Sequence, residues 1–367
     1  MNVLLKRPSL RWLAPAVVVL AVSTAGLVGT RASADTTLSD ISAQDLLVKV
    51  AQANPKGLSG TVEESANLGL PSLGTDQSSS DFSSLISGTH TLRVAYAAPD
   101  KARFAVHGSL GESDLVTSGT EQWLWSSEKN TVTHRTGAAV KDRTSPENTD
   151  TPMTPSEAAA KAFAAVGSTT DVTLAKNVTV AGRPSYELVL RPKASQTGTK
   201  IESVRLAVDG TTFVPLRVQL LARGVSDPVF STAFTTIDYA VPAASEFSFT
   251  APKDAKVTEV TGDAKGSHPQ PDHTTGVEKQ KAPDVKKVGS AWTTVVVMKV
   301  PSDATAQAGQ GHEARQLAQA LNSLPKVSGT WGSGKLLSGT AFSAVLTDDG
   351  RLAVGAVTPA LLYAALS

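Results

Sequence analysis

Residues 204–220 read VRLAVDGTTFVPLRVQL. Val204, Leu206 and Val208 alternate with Arg205 and Ala207, Asp209-Gly210 marks a turn, and Leu216, Val218 and Leu220 resume the alternation. A period of two on both sides of an Asp-Gly step predicts two antiparallel neighbours that share one apolar face.

The same phrase recurs on both sides of this hairpin. Tyr186, Leu188 and Leu190 precede it, and residues 230–239 follow as a further strand. Earlier still, Leu92, Val94 and Tyr96 alternate before Pro99-Asp100, Ala102, Phe104 and Val106 alternate after it, and Trp123, Leu124 and Trp125 continue the pattern. Strands that follow one another along the chain predict an antiparallel meander. The Ser/Gly-rich stretch 71–84 reads as a loop within it.

Helical signals frame the strands. Over residues 41–53, Leu46, Leu47, Val50 and Ala51 fall on one helical face, with Ser42 and Asp45 as a capping pair. Thr154-Pro155-Ser156-Glu157 supplies an N-cap, a first-turn proline and a capping-box glutamate before AAAKAFAAV, and Gly167 stops that helix.

A chain of 367 residues exceeds the size at which one core keeps growing, so two folded units are expected. The boundary falls in residues 263–288, DAKGSHPQPDHTTGVEKQKAPDVKKV, which lack apolar periodicity and read as a flexible linker. Residues 289–367 then form a small unit: a strand over 293–300, a helix over 313–324, a hairpin through Asp348-Asp349-Gly350, and a last helix capped by Thr358-Pro359.

Residues 1–34 read as an export signal. Lys6, Arg7 and Arg11 precede an apolar run over 13–29, and Ala32-Ser33-Ala34 fits a small-residue cleavage site. An uncleaved anchor is the alternative, because about 17 apolar residues are just enough to span a thin bilayer. Either way residues 35–262 form the first folded unit, outside the cytoplasmic membrane. These 34 residues hold four of the 34 Lys+Arg and no acid, which leaves 30 basic against 33 acidic residues, about −3. That balance argues against nucleic acid as a partner. With Cys 0, disulfides, thiolate metal sites, cysteine nucleophiles and a lipidated cysteine are excluded.

The phrases PDKARF, LVTSGTEQWLW, VAGRPSYELVLRPK, VRLAVDGTTFVPLRVQL and FTTIDYAVPAASEFSFTAP, in that order, resemble successive motifs of LolA-type lipoprotein carriers across residues 40–260. The two-unit layout also resembles RseB-like sensors, whose first domain shares the LolA fold. The resemblance implies an α+β protein: a LolA-like curved antiparallel half-barrel sheet with a helical lid, plus a small C-terminal α+β domain. It implies a non-catalytic binding protein that shelters a lipid or lipoprotein acyl chain, with a membrane partner such as an anti-sigma factor or a transporter. One departure is that Ala98, not the arginine of LolA carriers, stands before Pro99.

Candidate lining residues are Phe104, Val106, Trp123, Trp125, Leu188, Leu206, Leu216, Val218, Leu220 and Phe234. Alternation leaves open which sheet face is hollow, so Trp123 and Trp125 either line a cavity or fill a core. No cofactor and no catalytic or metal-ligating residue is expected. Gly329 to Lys335 has the spacing of a phosphate loop, but Leu336 stands where the Mg-binding hydroxyl belongs, and a glycine-rich turn between helix and strand accounts for it. His268, Asp272 and His273 sit in the linker without a rigid frame, His107 and His134 have no serine elbow to serve, and Glu63-Glu64, being adjacent, point to opposite sides of a strand. A hydrolase therefore remains an alternative without a nucleophile constellation.

Overall fold

The computed structural model describes residues 38–69, 82–108, 111–137, 167–262, 285–300 and 321–367. The segment 1–34 read as an export signal, the helix expected after Thr154, and His268 and His273 lie outside them.

The first residues described lead into helix α1, Ala43–Gln52. The Ser42/Asp45 pair caps it as its spacing predicts: the Asp45 amide donates to Ser42 Oγ at 3.0 Å, and the Ser42 hydroxyl donates to the Asp45 carboxylate at 2.7 Å. Six strands follow in order, β1 (Gly57–Asn67), β2 (Ser87–Ala97), β3 (Lys101–His107), β4 (Glu112–Ser118), β5 (Glu121–Ser126) and β6 (Thr131–Gly137). After them come β7 (Thr170–Leu174), β8 (Val178–Val180), β9 (Arg183–Pro192), β10 (Ile201–Asp209), β11 (Pro215–Ala222), β12 (Phe230–Asp238) and β13 (Lys256–Gly262).

Together these make a 13-stranded sheet of order β13-β6-β5-β4-β3-β2-β1-β12-β11-β10-β9-β7, with β8 paired to β9. The predicted antiparallel meander is present as two runs, β1 to β6 and β9 to β12, stitched where β12 pairs antiparallel with β1. The all-antiparallel expectation fails at one edge, where β13 runs parallel to β6. The chain reaches that edge by crossing the sheet between β12 and β13, a long connection of the kind a parallel pair requires.

The second sheet has six strands, β14 (Val285–Val288), β15 (Val295–Lys299), β16 (Lys326–Gly329), β17 (Gly332–Ser338), β18 (Ser343–Thr347) and β19 (Arg351–Gly355), in the order β14-β15-β19-β18-β17-β16. Strand β14 occupies the last four residues of the stretch read as linker. Helix α2, Pro359–Leu366, lays Leu362, Ala365 and Leu366 on Val295, Val345 and Ala353. Arg351 ties the unit together by donating to the carbonyls of Leu366 and Trp331, each at 2.8 Å. Of the helix expected over 313–324, residues 321–324 are described: 321–323 are helical and Leu324 is a bend.

The glycine-rich phosphate-loop lookalike is a β-hairpin between two strands, not a turn between helix and strand. Gly329 pairs with Gly332 across it, and a Cβ on Gly334 would stand 2.4 Å from the Leu346 carbonyl. Glycine is needed there for close strand approach.

The two sheets share an apolar seam of Ile201, Ala222, Val229 and Ala341, with Leu68, Leu220, Trp292 and Ala356 packed on it. Backbone bonds cross the seam: Lys200 N to Ala356 O at 2.9 Å, Thr358 N to Gly198 O at 2.7 Å and Thr340 N to Leu68 O at 2.8 Å. Lys200 Nζ donates to Ser338 Oγ at 3.0 Å and to the Gly339 carbonyl at 2.5 Å, and Trp292 Nε1 donates to Thr170 Oγ1 at 2.7 Å. Burial pushes the Lys200 ammonium below its ordinary pKa.

Candidate functional site

Pairing registers assign every strand residue of the large sheet to one of two faces. Leu46 of α1 packs on Tyr186, Leu188 and Val208, which makes the face they share the α1 face. Following the partners outward, Leu206 lies opposite Val218, Val62 lies between Phe234 and Leu92, Val94 faces Phe104, and Phe104 faces Leu115, which faces Leu124. Directly paired residues point to the same side. The α1 face therefore carries apolar side chains on every strand from β7 to β5, with Thr232, Glu64, His90 and Ser113 among them.

Eight of the predicted lining residues share this face: Phe104, Val106, Leu188, Leu206, Leu216, Val218, Leu220 and Phe234. They divide by environment. Val106, Leu188, Leu216 and Phe234 are buried, Leu188 directly beneath α1, and serve as core. Phe104, Leu206, Val218 and Leu220 are half-buried, as are Leu92, Leu115, Leu124 and Val204, which the sequence reading did not select. Helix α1 covers the β7, β9 and β10 side, and it is the one helix of the expected lid among the described residues.

Trp123 and Trp125 lie on the opposite face. Trp123 pairs with Val116 and His134, and Trp125 with Asp114 and Val132, which places both rings in the rows out of phase with Leu124. The segment between β12 and β13 crosses over them. Its Phe249 sits 5.6 Å from the Trp123 ring and 6.5 Å from the Trp125 ring, while Phe247 packs on Ala95 and Ala97. His134 stacks on Trp123 at 3.5 Å, and its Nδ1 is hydrogen-bonded to Glu259 of β13 at 2.8 Å. Trp125 is buried and Trp123 half-buried between sheet and strap, so neither lines the α1 face.

Charge is distributed unequally between the faces. Arg103 grips Asp114 with two bonds, at 2.8 and 3.2 Å, and Arg217 bonds Glu187 at 2.6 Å, both on the face away from α1. At the hairpin end, Arg183 pairs with Asp209, whose Oδ1 also accepts the Thr211 and Thr212 amides at 2.8 and 2.9 Å. Burial pushes the Asp209 carboxyl up, but the bonds from Arg183, Thr212 and Thr211 outweigh it and hold the pKa below the ordinary carboxylate value.

The α1 face carries one buried acid, Glu64, between Val62 and Ala66 on β1. It is 2% exposed, faces His90 on β2 and Thr232 on β12, and neither carboxyl oxygen has a hydrogen-bond partner. Burial pushes its pKa up to about 8, so it is predominantly a neutral acid at pH 7. His90 directs Nε2 to the Ser87 carbonyl at 2.9 Å. The sequence reading set Glu64 aside as half of an adjacent pair. The Val62-Glu64-Ala66 alternation was the available signal, since it puts the acid in step with the buried positions while Glu63 is exposed.

Among the described residues no group of three His, Asp or Glu is placed to hold a metal, and no helix is long and apolar enough to cross a membrane.

No known family model and no curated protein matches the chain. Solved structures do. A chain of the Pseudomonas aeruginosa MucA/MucB complex is 16% identical with TM-score 0.45, over 88% of this chain and 96% of that one. MucB in complex with MucA(peri) gives 15% and 0.44, over 88% and 97%. A LolA superfamily protein from Nitrosomonas europaea is 10% identical with TM-score 0.21, over 57% of this chain and 99% of that one.

Proposed function

We propose that this chain is a non-catalytic binding protein of the cell envelope that accommodates a lipid or lipoprotein acyl chain on the α1 face, with the sheet curving as a half-barrel around it. The observation that carries the reading is the band of half-buried Leu92, Phe104, Leu115, Leu124, Val204 and Val218 on that face, while the Arg103–Asp114 and Arg217–Glu187 pairs occupy the other. Each buried CH2 contributes about 0.8 kcal/mol, so a long chain gains on the order of 10 kcal/mol before ordering costs, without any reacting group.

The test is native mass spectrometry of freshly purified protein, followed by titration of delipidated protein with a fluorescent fatty-acid methyl ester. Retained lipid and saturable binding, abolished by Leu115→Asp with Leu124→Asp, support the reading. Absence of both refutes it.

A second reading, a regulator that couples lipid occupancy to a membrane partner such as an anti-sigma factor, is favoured by the seam between the sheets. Strands β10 and β11 contribute Ile201, Leu220 and Ala222 to the seam and Leu206 and Val218 to the α1 face. Occupancy of that face therefore bears on strands the small unit grips. Recovery of a membrane partner that does not change with added lipid would exclude this coupling.

A further inference from the structure

Four carboxyl side chains are buried among the described residues: Glu64, Asp114, Glu187 and Asp209. Three have an arginine each, Arg103 on Asp114, Arg217 on Glu187 and Arg183 on Asp209. Glu64 has none, and both of its oxygens are without a partner, between His90 and Thr232 across the sheet and Val62 and Ala66 along the strand. Native interiors satisfy nearly all buried polar groups, so such a group calls for a specific reason. If β1 needed only packing there, an aliphatic residue in step with Val62 and Ala66 would fill the position without desolvating a carboxyl.

A neutral carboxyl group offers one O–H donor beside a carbonyl acceptor. We propose that Glu64 is the polar anchor of the acyl site, donating its hydroxyl hydrogen to the ester or amide carbonyl that links an acyl chain to its headgroup. This rests on the acyl-binding reading and names the atom that orients the ligand within it.

The surroundings select this class of ligand over its rivals. A cationic head would require Glu64 to ionise and a buried ion pair to form with both partners stripped of water, a desolvation that consumes much of the attraction. A free carboxylate would bring its own charge to a site with no arginine or lysine on the facing positions, which are His90, Thr232, Val62 and Ala66. A neutral carbonyl at the head of a hydrocarbon needs one donor and apolar walls, which is what the site presents. From β1 the tail lies over Leu92, Phe104, Leu115 and Leu124. Four strand spacings of about 4.8 Å separate β1 from β5, about 19 Å in all, a span suited to a long extended acyl chain.

The test uses delipidated full-length chain and two fluorescent probes, pyrene-capped decanoic acid methyl ester and the matching decylpyrene, which lacks the carbonyl. Wild type is expected to bind the ester about five- to tenfold more tightly, the worth of one neutral hydrogen bond made in place of an orphaned donor. Glu64→Gln, whose amide still donates, keeps the preference. Glu64→Leu erases it while still binding decylpyrene, which also shows that the variant is folded.

Raising the pH from 6 to 9 abolishes the wild-type preference as Glu64 loses its proton and leaves Glu64→Gln unaffected. His90 is the titratable group facing Glu64 from β2, whereas β12 contributes Thr232 and the short turn Phe82–Ile86, packed on β1 and β2, contributes none. Equal binding of both probes by wild type, or an ester preference that survives in Glu64→Leu, overturns the anchor and leaves the acyl site standing. Failure of wild type to bind either probe overturns both.

Discussion

Replacing Glu64 by glutamine removes a proton-linked cost that falls on the folded state alone. In the unfolded chain the carboxyl titrates near its ordinary 4.5, and in the fold burial pushes it up to about 8. Below pH 4.5 both states hold the proton and the cost vanishes. Between 4.5 and about 8 only the unfolded chain releases it, so each pH unit costs the fold about 1.36 kcal/mol, and above about 8 the cost is constant. From pH 5 to pH 8, with the slope flattening near each pKa, the wild type therefore loses about 3.5 kcal/mol through this one residue, a large share of the roughly 5–15 kcal/mol that holds a typical domain together. Urea unfolding of ligand-free wild type and Glu64→Gln across this range measures it. The wild-type stability should fall by about 3.5 kcal/mol more than that of the variant, at equal m-values. Two curves that run parallel from pH 5 to pH 8 would show that Glu64 is solvated or partnered in solution and would refute the reasoning.

Arg183→Met strands the Asp209 carboxylate in the interior and should cost about 3 kcal/mol in urea unfolding at pH 7. Because the pair holds the Asp209 pKa below its ordinary value, that difference should persist above pH 4 and shrink as the pH falls and Asp209 takes up a proton. Gly334→Ala sets a methyl group against the Leu346 carbonyl and should destabilise the small sheet by about 1–3 kcal/mol, with ATP having no effect on the melting temperature of either form. Phe249→Ala uncovers Trp123 and Trp125, so tryptophan emission should shift to the red with a loss of about 3 kcal/mol, while fatty-acid probe binding on the other face is retained.

Much of the strand pattern was legible because alternation is local. Val204, Leu206 and Val208 against Leu216, Val218 and Leu220 form the hairpin their spacing predicts, and Ser42 with Asp45 caps α1. What alternation does not carry is phase between strands. Trp123 and Trp125 were grouped with Phe104, yet Phe104 pairs through Leu115 to Leu124, which puts the tryptophans on the other side. Register breaks at Thr61/Val62 and at Ala207/Val208 reset that phase within strands. Short charged strands were equally opaque. Val285 to Val288 spans two exposed lysines at a sheet edge and looks like linker, and β13 keeps Val257 and Val260 exposed. Glu64 is legible only through its step with Val62 and Ala66, because its partners in space, His90 and Thr232, lie 26 and 168 residues away along the chain.

The placement of β12 beside β1 sets the tempo at which the molecule is completed. Thr61 bonds Thr236, 175 residues further along, so β1 has one edge satisfied early by β2 and the other open until nearly the whole large sheet has been synthesised. Such distant pairing is slow to find and leaves an adhesive backbone edge exposed in the interim. Nascent copies of this protein should therefore depend on a holding chaperone until their first 240 residues are free, and truncations ending before Phe230 should aggregate where the whole chain does not.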